Sequence, residues 1–146
     1  MEATQTDPGT LTMLSLLSKV VYKRASEELI GISQRHYLAL HYLSGPHGVP
    51  QQQLSEFLWI DANNTVLLLN ELEREGLVRR ERDPADRRRH LVHVTEEGAR
   101  RVAEARRRRE TLEGEVLAAL DADERETLHR LLAKALSSRG ACGPGC

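Results

Sequence analysis

The sequence contains few aromatic residues and few cysteines, and it has no long apolar run. Aromatic residues make up 3% of the chain, which argues against an aromatic-lined carbohydrate site and against a platform on which RNA bases stack. The two cysteines, Cys142 and Cys146, both lie near the C-terminus, so a disulfide framework within the core is excluded and a reducing compartment is expected. No apolar run approaches the roughly 18–20 residues of a membrane span.

The first ten residues, MEATQTDPGT, lack the basic start and the apolar stretch of a secretory signal. The 146 residues include 40% hydrophobic and 29% charged residues, a composition typical of a soluble, globular single domain. A chain of this length can bury a substantial core. We therefore expect a cytoplasmic protein without a membrane partner.

Charge is unevenly distributed, although the formal net charge is only −1. Residues 79–109 contain twelve arginines and six acids, whereas residues 110–126 contain seven acids and one arginine. Arginine suits the geometry of phosphate and guanine, so the basic block is a candidate footprint for nucleic acid. A codon bias toward arginine would produce the same excess.

Helical signals dominate the chain, and one β-hairpin interrupts them. Periodic apolar residues indicate amphipathic helices, and two short runs around a turn rich in proline and aspartate indicate a hairpin with a basic tip. The expected elements are helices over 11–29, 34–44, 51–58 and 62–75, strands over 77–82 and 90–94, and helices over 96–119 and 122–137.

Residues suited to helix ends support these boundaries. The expected N-caps are Ser33, Val49, Asp61, Thr95 and Asp121, the last in a capping box with Glu124. Pro50 is expected at the first helical position, and Gly76 is expected to end its helix in the left-handed conformation. In the helix over 62–75, Thr65, Leu68, Leu69 and Leu72 form the expected inward stripe. In the helix after Thr95, the expected inward residues include Ala99, Val102 and Ala103.

Two short helices joined by the link Trp59-Ile60-Asp61, then a basic-tipped hairpin, form the pattern of a winged helix-turn-helix. The expected fold class is therefore mainly α, a winged helix-turn-helix with additional N- and C-terminal helices. Within a single domain over 1–146, the head spans 33–94 and the terminal helices span 10–30 and 95–138. The Gly-rich tail over 139–146 is expected to be flexible.

The segment NELEREGLVRRERDPADRRRHLVHVTEEG, residues 70–98, strongly resembles the MarR family of bacterial transcription regulators. The wing of that family reads roughly Asp-x-Arg-Asp-x-Arg, and an apolar strand and Leu-Thr-x-x-Gly follow it. Asp83, Asp86 and Arg88 stand in register with this pattern, and Val94-Thr95-x-x-Gly98 follows. The likeness in element order covers about residues 10–138. Ala85 replaces the first wing arginine, and residues 63–67, NNTVL, replace the usual Ser-Thr-x-Thr-Arg, so the bases read are expected to differ.

The resemblance implies a homodimer whose N- and C-terminal helices form a dimerisation layer, since amphipathic terminal helices need a partner surface. It implies binding to a pseudo-palindromic operator on double-stranded DNA, usually with repression. In many members a small phenolic or apolar effector enters a cleft beside the dimer layer and releases the DNA. The cysteine-oxidised members rely on a thiol near the N-terminal helix, and this sequence has none there.

The candidate DNA contacts lie on the third and fourth helices and on the wing. Asn63 and Asn64 fall in the first turn of the recognition helix, where asparagine can pair with adenine, or they are simply polar first-turn residues. Val66 and Leu67 point outward and suit thymine methyl groups, or they are an ordinary exposed pair. The complete candidate set is Gln51, Gln52, Asn63, Asn64, Val66, Leu67, Asn70, Arg87, Arg88 and Arg89.

The three wing arginines, residues 87–89, are candidates for phosphate or minor-groove contacts, with Asp83 and Asp86 bracing them. The alternative is a solvated run of charge. For Arg106–Arg109 we favour the solvated interpretation, because four consecutive residues point to all sides of a helix. Pairs such as Glu104–Arg108, Arg106–Glu110 and Arg109–Glu113 would support that helix.

By family analogy the residues bordering the effector cleft are Tyr22, His36, Tyr37, His41 and Trp59. No acid completes a metal set with the histidines, so structural roles are favoured over ligation and no metal or cofactor is expected. A metal- or redox-sensing regulator of the same fold, using the histidines or the tail cysteines, is the alternative function. The sequence has no nucleophile–base pair, P-loop or dinucleotide fingerprint, so we do not expect an enzyme.

Overall fold

The computed structural model describes residues 6–26 and 31–138, and it confirms the predicted order of elements within these ranges. The C-terminal tail over 139–146 and residues 27–30, which include the end of the first helix predicted over 11–29, lie outside the described residues. The elements are α1 (Thr10–Arg24), α2 (Gln34–Leu43), β1 (Val49–Pro50), α3 (Gln51–Leu58), α4 (Ala62–Arg74), β2 (Val78–Arg82), β3 (His90–Val94), α5 (Glu96–Val116) and α6 (Ala122–Ser137). The chain is therefore mainly α, with a small antiparallel sheet in the order β1-β3-β2.

Most of the predicted helix ends are confirmed. The side chains of Ser33, Asp61 and Thr95 each accept a hydrogen bond from a backbone N–H in the first turn of their helix. Asp121 and Glu124 form the complete capping box. Each cap satisfies an otherwise unpaired backbone donor. Gly76 has a φ of 74°, so it closes α4 in the left-handed conformation.

Three boundary predictions were wrong. Pro50 is the N-cap of α3, and Val49 lies in a two-residue strand opposite Val92 of β3. A proline has no N–H, but its carbonyl oxygen can still accept a hydrogen bond in an edge strand. A strand of two residues is also too short to show a periodic pattern in the sequence. α1 ends at Arg24 and α5 ends at Val116, both earlier than their apolar patterns indicated.

The core lies in the winged head, where α2, α3, α4 and the sheet meet α5. The predicted inward stripe of α4 is confirmed: Thr65, Leu68, Leu69 and Leu72 are all buried. Leu40 and Leu43 of α2, Leu54 of α3, Leu77, and Val92 of β3 complete the fully buried centre. Each buried leucine or valine contributes about 1.5–3 kcal/mol to folding, so the head carries most of the apolar stabilisation.

α5 is rotated from the predicted orientation. Ala99 and Ala103 are exposed, whereas Gly98, Val102 and Ala105 are buried. Gly98 determines this rotation, because a Cβ atom there would stand 2.1 Å from the backbone oxygen of Leu77. The helix can approach the end of α4 so closely only through a residue without a side chain.

The terminal helices α1 and α6 bury none of their residues within the described chain. Their exposed apolar side chains are Leu11, Met13, Leu14, Leu16, Val20, Leu131, Leu132 and Leu136. Each of these helices therefore has an apolar face that the described chain leaves uncovered. Within residues 6–26 and 31–138, no helix combines the length and apolar character needed to cross a membrane.

Candidate DNA-binding surface and ligand cavity

The helix-turn-helix is held together by hydroxyl and carboxylate contacts across its turn. The hydroxyl groups of Ser55 on α3 and Thr65 on α4 lie 2.7 Å apart, and the Thr65 hydroxyl also donates to the backbone oxygen of Asp61. The Asp61 carboxylate accepts from both the backbone and the side-chain nitrogen of Asn64, at 2.7 and 2.9 Å. The start of α4 is therefore rigidly placed relative to α3.

The outward face of α4 begins with polar side chains and continues with apolar ones. Asn63 is exposed, and Val66 and Leu67 are 37% and 59% exposed. Asn70, further along, is half-buried, and its side-chain oxygen accepts from the guanidinium of Arg80 at 2.6 Å. Arg80 also donates to Glu73 at 2.7 Å. Asn70 thus joins the recognition helix to strand β2.

The wing tip is a turn organised by two aspartates. The Asp86 carboxylate accepts from both the backbone nitrogen and Nε of Arg88, each at 3.1 Å, while Asp83 lies 3.7 Å from Nε of Arg89. The hydrogen bonds from Arg88 lower the pKa of Asp86 from its ordinary value, which keeps this brace ionised. The bracing predicted for Asp83 and Asp86 is therefore confirmed, and the Arg88 side chain stays 91% exposed.

The wing and both helices of the reading unit share one surface cavity of about 420 Å³. Gln51 and Gln52 of α3, Ala62 of α4, and Arg88 and Arg89 of the wing line it. The side-chain oxygen of Gln51 is buried there and has no hydrogen-bond partner among the described residues. The start of a helix carries positive partial charge, and the two guanidinium groups supply N–H donors, although Asp86 and Asp83 partly balance their charge. The cavity can therefore accommodate a phosphate-bearing strand.

A second cavity, of about 350 Å³, lies between the terminal helices, α2 and α5. Its walls are mostly apolar, and they are formed by Leu17, Val21, Tyr37, Leu112, Val116, Leu117, Leu128 and Leu132, with Arg106, Arg109, Glu110 and Glu113 at the polar positions. The Arg109 guanidinium carbon stands 4.4 Å above the centre of the Tyr37 ring, and Arg109 also donates to the side chain of Gln34. This combination of apolar walls and a few fixed polar groups suits a small organic molecule.

Comparison with known proteins assigns the family. A model of the MarR family matches residues 30–89. The transcriptional regulator HosA of Escherichia coli O111:H- is 30% identical over 115 residues, which cover 79% of this chain and 85% of that protein. The chain belongs to the MarR family. HosA is named as a regulator and not as an enzyme.

Solved structures of the MarR family share the fold over nearly the whole chain. The PcaV transcriptional regulator from Streptomyces coelicolor, in complex with its natural ligand, is 25% identical with a TM-score of 0.74, and the match covers 94% of this chain and 98% of that one. A mutant MarR from E. coli, complexed with operator DNA, is 24% identical with a TM-score of 0.74, covering 86% and 91%. The expected winged helix-turn-helix fold is confirmed.

The structure brings together some of the predicted DNA contacts of this MarR-family chain. Gln51, Gln52, Arg88 and Arg89 meet around one cavity. Asn63, Val66 and Leu67 are exposed on the adjoining helix, whereas the Asn64 side chain is bonded to Asp61 and Asn70 to Arg80. Arg87 is exposed at the wing tip, where its backbone oxygen accepts from Arg82.

The predicted effector cleft differs from the cavity that the MarR fold forms here. Tyr37 alone of the five predicted residues lines it. Tyr22 is 56% exposed on α1, and Trp59 is 55% exposed in the turn between α3 and α4. His41 does not line the cavity, but its ring stacks on Tyr37 with a centroid distance of 5.9 Å and its Nδ1 atom lies 3.3 Å from Arg106.

His36, the fifth predicted cleft residue, connects α2 to the recognition helix. Its Nε2 atom lies 2.9 Å from the carboxylate of Glu71 on α4. The hydrogen bond to His36 is the largest cause lowering the pKa of Glu71. This contact links α2 to the recognition helix, and it is the role that the structure gives His36. Among the described residues, no group of three or more His, Cys, Asp or Glu side chains is arranged to hold a metal ion, and Cys142 and Cys146 lie outside those residues.

The sequence interpretation missed Arg106 and Arg109. Both were assigned to a solvated run, and the predicted Glu104–Arg108 pair does form, at 2.9 Å. Arg106 and Arg109 were predicted to pair with Glu110 and Glu113. In the structure they contact His41 and Gln34 of α2. The signal that identifies Arg109 is its helical spacing: it follows Gly98, Val102 and Ala105 on the buried face of α5.

Proposed function

We propose that this protein is a sequence-specific, double-stranded-DNA-binding transcriptional regulator that acts as a homodimer in the cytoplasm. The observation that carries the proposal is the convergence of the starts of α3 and α4 with Arg88 and Arg89 around one cavity. The exposed side chains on α4 beside it are of the kinds that read base edges. The operator complex of a MarR protein with the same fold supports this assignment.

The two halves of the surface are assigned different tasks. Asn63 reads base edges in the major groove, and Val66 and Leu67 meet thymine methyl groups. Gln51, Gln52 and the wing arginines hold the sugar–phosphate backbone or the minor groove. Asn64 and Asn70, whose side chains are bonded to Asp61 and Arg80, hold the recognition helix in place.

Titrations of three alanine variants test this division. Asn63→Ala should lose roughly 1–3 kcal/mol of affinity for the operator and little for a scrambled duplex, because only the operator offers the paired base. Arg88→Ala should weaken both duplexes and flatten the salt dependence by about one unit of slope. Arg107→Ala, an exposed arginine on α5, is the matched control and should change neither.

Each duplex is titrated with every variant at two salt concentrations, with fluorescence anisotropy of labelled DNA as the signal. If Asn63→Ala leaves the operator-to-scrambled ratio unchanged while Arg88→Ala abolishes it, the wing is the reader and the assignment of α4 is overturned. If the wild type binds no fragment of its own upstream DNA, the proposed function fails altogether.

The homodimer is proposed because α1 and α6 leave apolar faces uncovered. Leu131 and Leu136 of α6 are 51% and 57% exposed and do not line the cavity. Replacing both by glutamate should convert a dimer to a monomer in sedimentation analysis and abolish tight operator binding. Ala99→Glu, at an exposed position near the start of α5, serves as control. A wild-type monomer that binds the operator would overturn the assignment.

We also propose that the protein is a repressor released by a small molecule in the cavity of about 350 Å³. Tyr37 provides an aromatic wall, and the two arginines provide donors for an anionic group, while Glu110 and Glu113 in the same lining limit its affinity. Benzoate is a suitable probe: it should release labelled operator from the wild type, and Val116→Phe should fill the cavity and remove this response without loss of DNA binding.

No described contact favours the metal- or redox-sensing alternative, since His36 and His41 contact Glu71 and Arg106.

A further inference from the structure

The first turn of α2 contacts both the cavity of about 350 Å³ and the recognition helix. Tyr37 is buried and lines the cavity, whereas Nε2 of the preceding residue, His36, lies 2.9 Å from the carboxylate of Glu71 on α4. Consecutive residues of a helix point about 100° apart, so one turn can reach two neighbours. Ser33 caps this turn by accepting a hydrogen bond from the backbone nitrogen of His36 at 3.1 Å. A displacement of the turn at Tyr37 therefore also moves His36.

On the cavity side, the same turn is held by an arginine of α5. The Arg109 guanidinium carbon stands 4.4 Å above the centre of the Tyr37 ring, and the guanidinium donates to the side-chain oxygen of Gln34, the first residue of α2. Arg109 also lines the cavity, so a molecule bound there can contact it. A carboxylate is a stronger acceptor for a guanidinium than an amide oxygen, and it can accept from two N–H groups at once. A carboxylate in the cavity therefore competes with Gln34 for Arg109.

On the other side, the contact holds α4 close to the residues proposed to read bases. Glu71 lies four positions after Leu67, so the two side chains are neighbours on the surface of α4. The His36 side chain is 14% exposed and that of Glu71 is 54% exposed. The hydrogen bond therefore runs from the packed first turn of α2 to an exposed edge of the recognition helix, and a shift of that turn changes the restraint on α4.

We propose that the His36–Glu71 contact transmits occupancy of the cavity to the recognition helix. An anionic aromatic molecule that takes Arg109 from Gln34 displaces the first turn of α2, and α4 then loses the position in which it fits the major groove. This inference rests on the proposed function, because it needs both operator binding and release by a small molecule. His36 and Glu71 are positioning residues, since neither is among those that line the cavity.

A double-mutant cycle across the contact tests this coupling. Operator affinity is measured by anisotropy of labelled DNA without benzoate and with saturating benzoate. Calorimetry measures benzoate binding to each free protein, since Glu110 and Glu113 in the cavity lining weaken it. In the wild type, benzoate should weaken operator binding by about 5-fold or more. His36→Ala, Glu71→Gln and the double variant should bind benzoate like the wild type, yet all three should show the same, much smaller response, because each removes one shared contact.

Two further variants separate coupling from a general loss of stability or charge. His36→Gln should keep most of the response, because its amide nitrogen can replace Nε2 as the partner of Glu71. Glu75→Gln removes an exposed carboxylate four residues further along the chain, and it should respond to benzoate like the wild type. If His36→Ala does not fold, Glu71→Gln and His36→Gln decide the matter: the first must lose the response and the second must keep it.

The possible failures are distinguishable. A full wild-type response in Glu71→Gln, or in both single variants, would overturn the inference and leave the proposed function intact. A double variant that loses more of the response than either single variant would show that the two residues act separately, which also overturns it. A wild type whose operator affinity does not change with benzoate would overturn the proposed release by a small molecule, and this inference with it.

Discussion

Replacing Gly98 by alanine should destabilise the protein, although alanine is the better helix former. Gly98 lies in the first turn of α5, where the wing strand β3 leads into the long helix. An added Cβ atom would stand 2.1 Å from the backbone oxygen of Leu77 and 2.8 Å from a methyl carbon of Val94. Contacts between carbon and a carbonyl oxygen ordinarily begin at about 3.3 Å, so the helix must move by about 1 Å.

Movement of α5 disturbs two hydrogen bonds at the same junction. The backbone nitrogen of Thr95 donates to the oxygen of Leu77 at 3.0 Å, and the Thr95 hydroxyl donates to the oxygen of Gly76 at 2.6 Å. Overpacking costs about 1–3 kcal/mol and a weakened hydrogen bond about 0.5–1.5 kcal/mol, against a gain of about 0.5–1 kcal/mol from alanine in a helix. With one of the two bonds weakened, the expected net loss is about 0.5–4 kcal/mol.

Gly114 provides the matched control on the same helix, because nothing lies within 4 Å of a Cβ atom built there. Gly114→Ala should therefore stabilise the protein by about 0.5–1 kcal/mol. Urea denaturation of both variants and the wild type, followed by far-UV circular dichroism, measures the difference. All three are compared at one protomer concentration, since the stability of the proposed dimer would depend on it.

The decisive quantity is the sign of the difference between the unfolding free energies of the two variants. If Gly98→Ala is as stable as Gly114→Ala, the close approach of α5 to Leu77 is not a constraint, and the explanation given for the rotation of α5 fails. A Gly98→Ala variant of low stability that still binds DNA like the wild type would show that the junction does not position the wing.

Three further results are expected. The logarithm of DNA affinity should fall with the logarithm of salt concentration by about 0.9 per phosphate contacted, and an affinity that is flat from low to moderate salt would contradict the basic surface. Leu69→Ala, at a fully buried position, should cost about 2–5 kcal/mol in denaturant unfolding, and a loss well below that would mean the core relaxes around it. The pKa of Glu71 is lowered from 4.5 by the hydrogen bond to His36, so its contribution to stability is present above pH 4.5 and is lost as the pH falls through the lowered value. Thermal melts of Glu71→Gln should accordingly depend less on pH below 4.5 than those of the wild type, and identical acid profiles would contradict this.

Much of the head was predictable from the sequence because its signals are local. The caps Ser33, Asp61 and Thr95 act on backbone groups within three residues, and the stripe of α4 repeats with the period of the helix. Gly76 ends its helix through its own positive φ, which depends on no distant residue. The aspartates of the wing bond to residues two to six positions away. Such interactions can be inferred from residues that are neighbours in the sequence. The helices of the reading unit and the strands of the wing were therefore predicted at nearly correct boundaries.

The tertiary structure decided which side chains form each cavity. Four successive arginines point to all sides of α5, and only the docking of Gly98 against Leu77 decides that Arg109 turns toward Tyr37. Asn70 meets Arg80 ten positions away, and Trp59 lies in the turn between α3 and α4 and does not line the cavity of about 350 Å³. These environments depend on how α5, the sheet and the turn pack together. Periodicity gives the side of one helix on which a residue lies, but the surface opposite that side is supplied by distant parts of the chain.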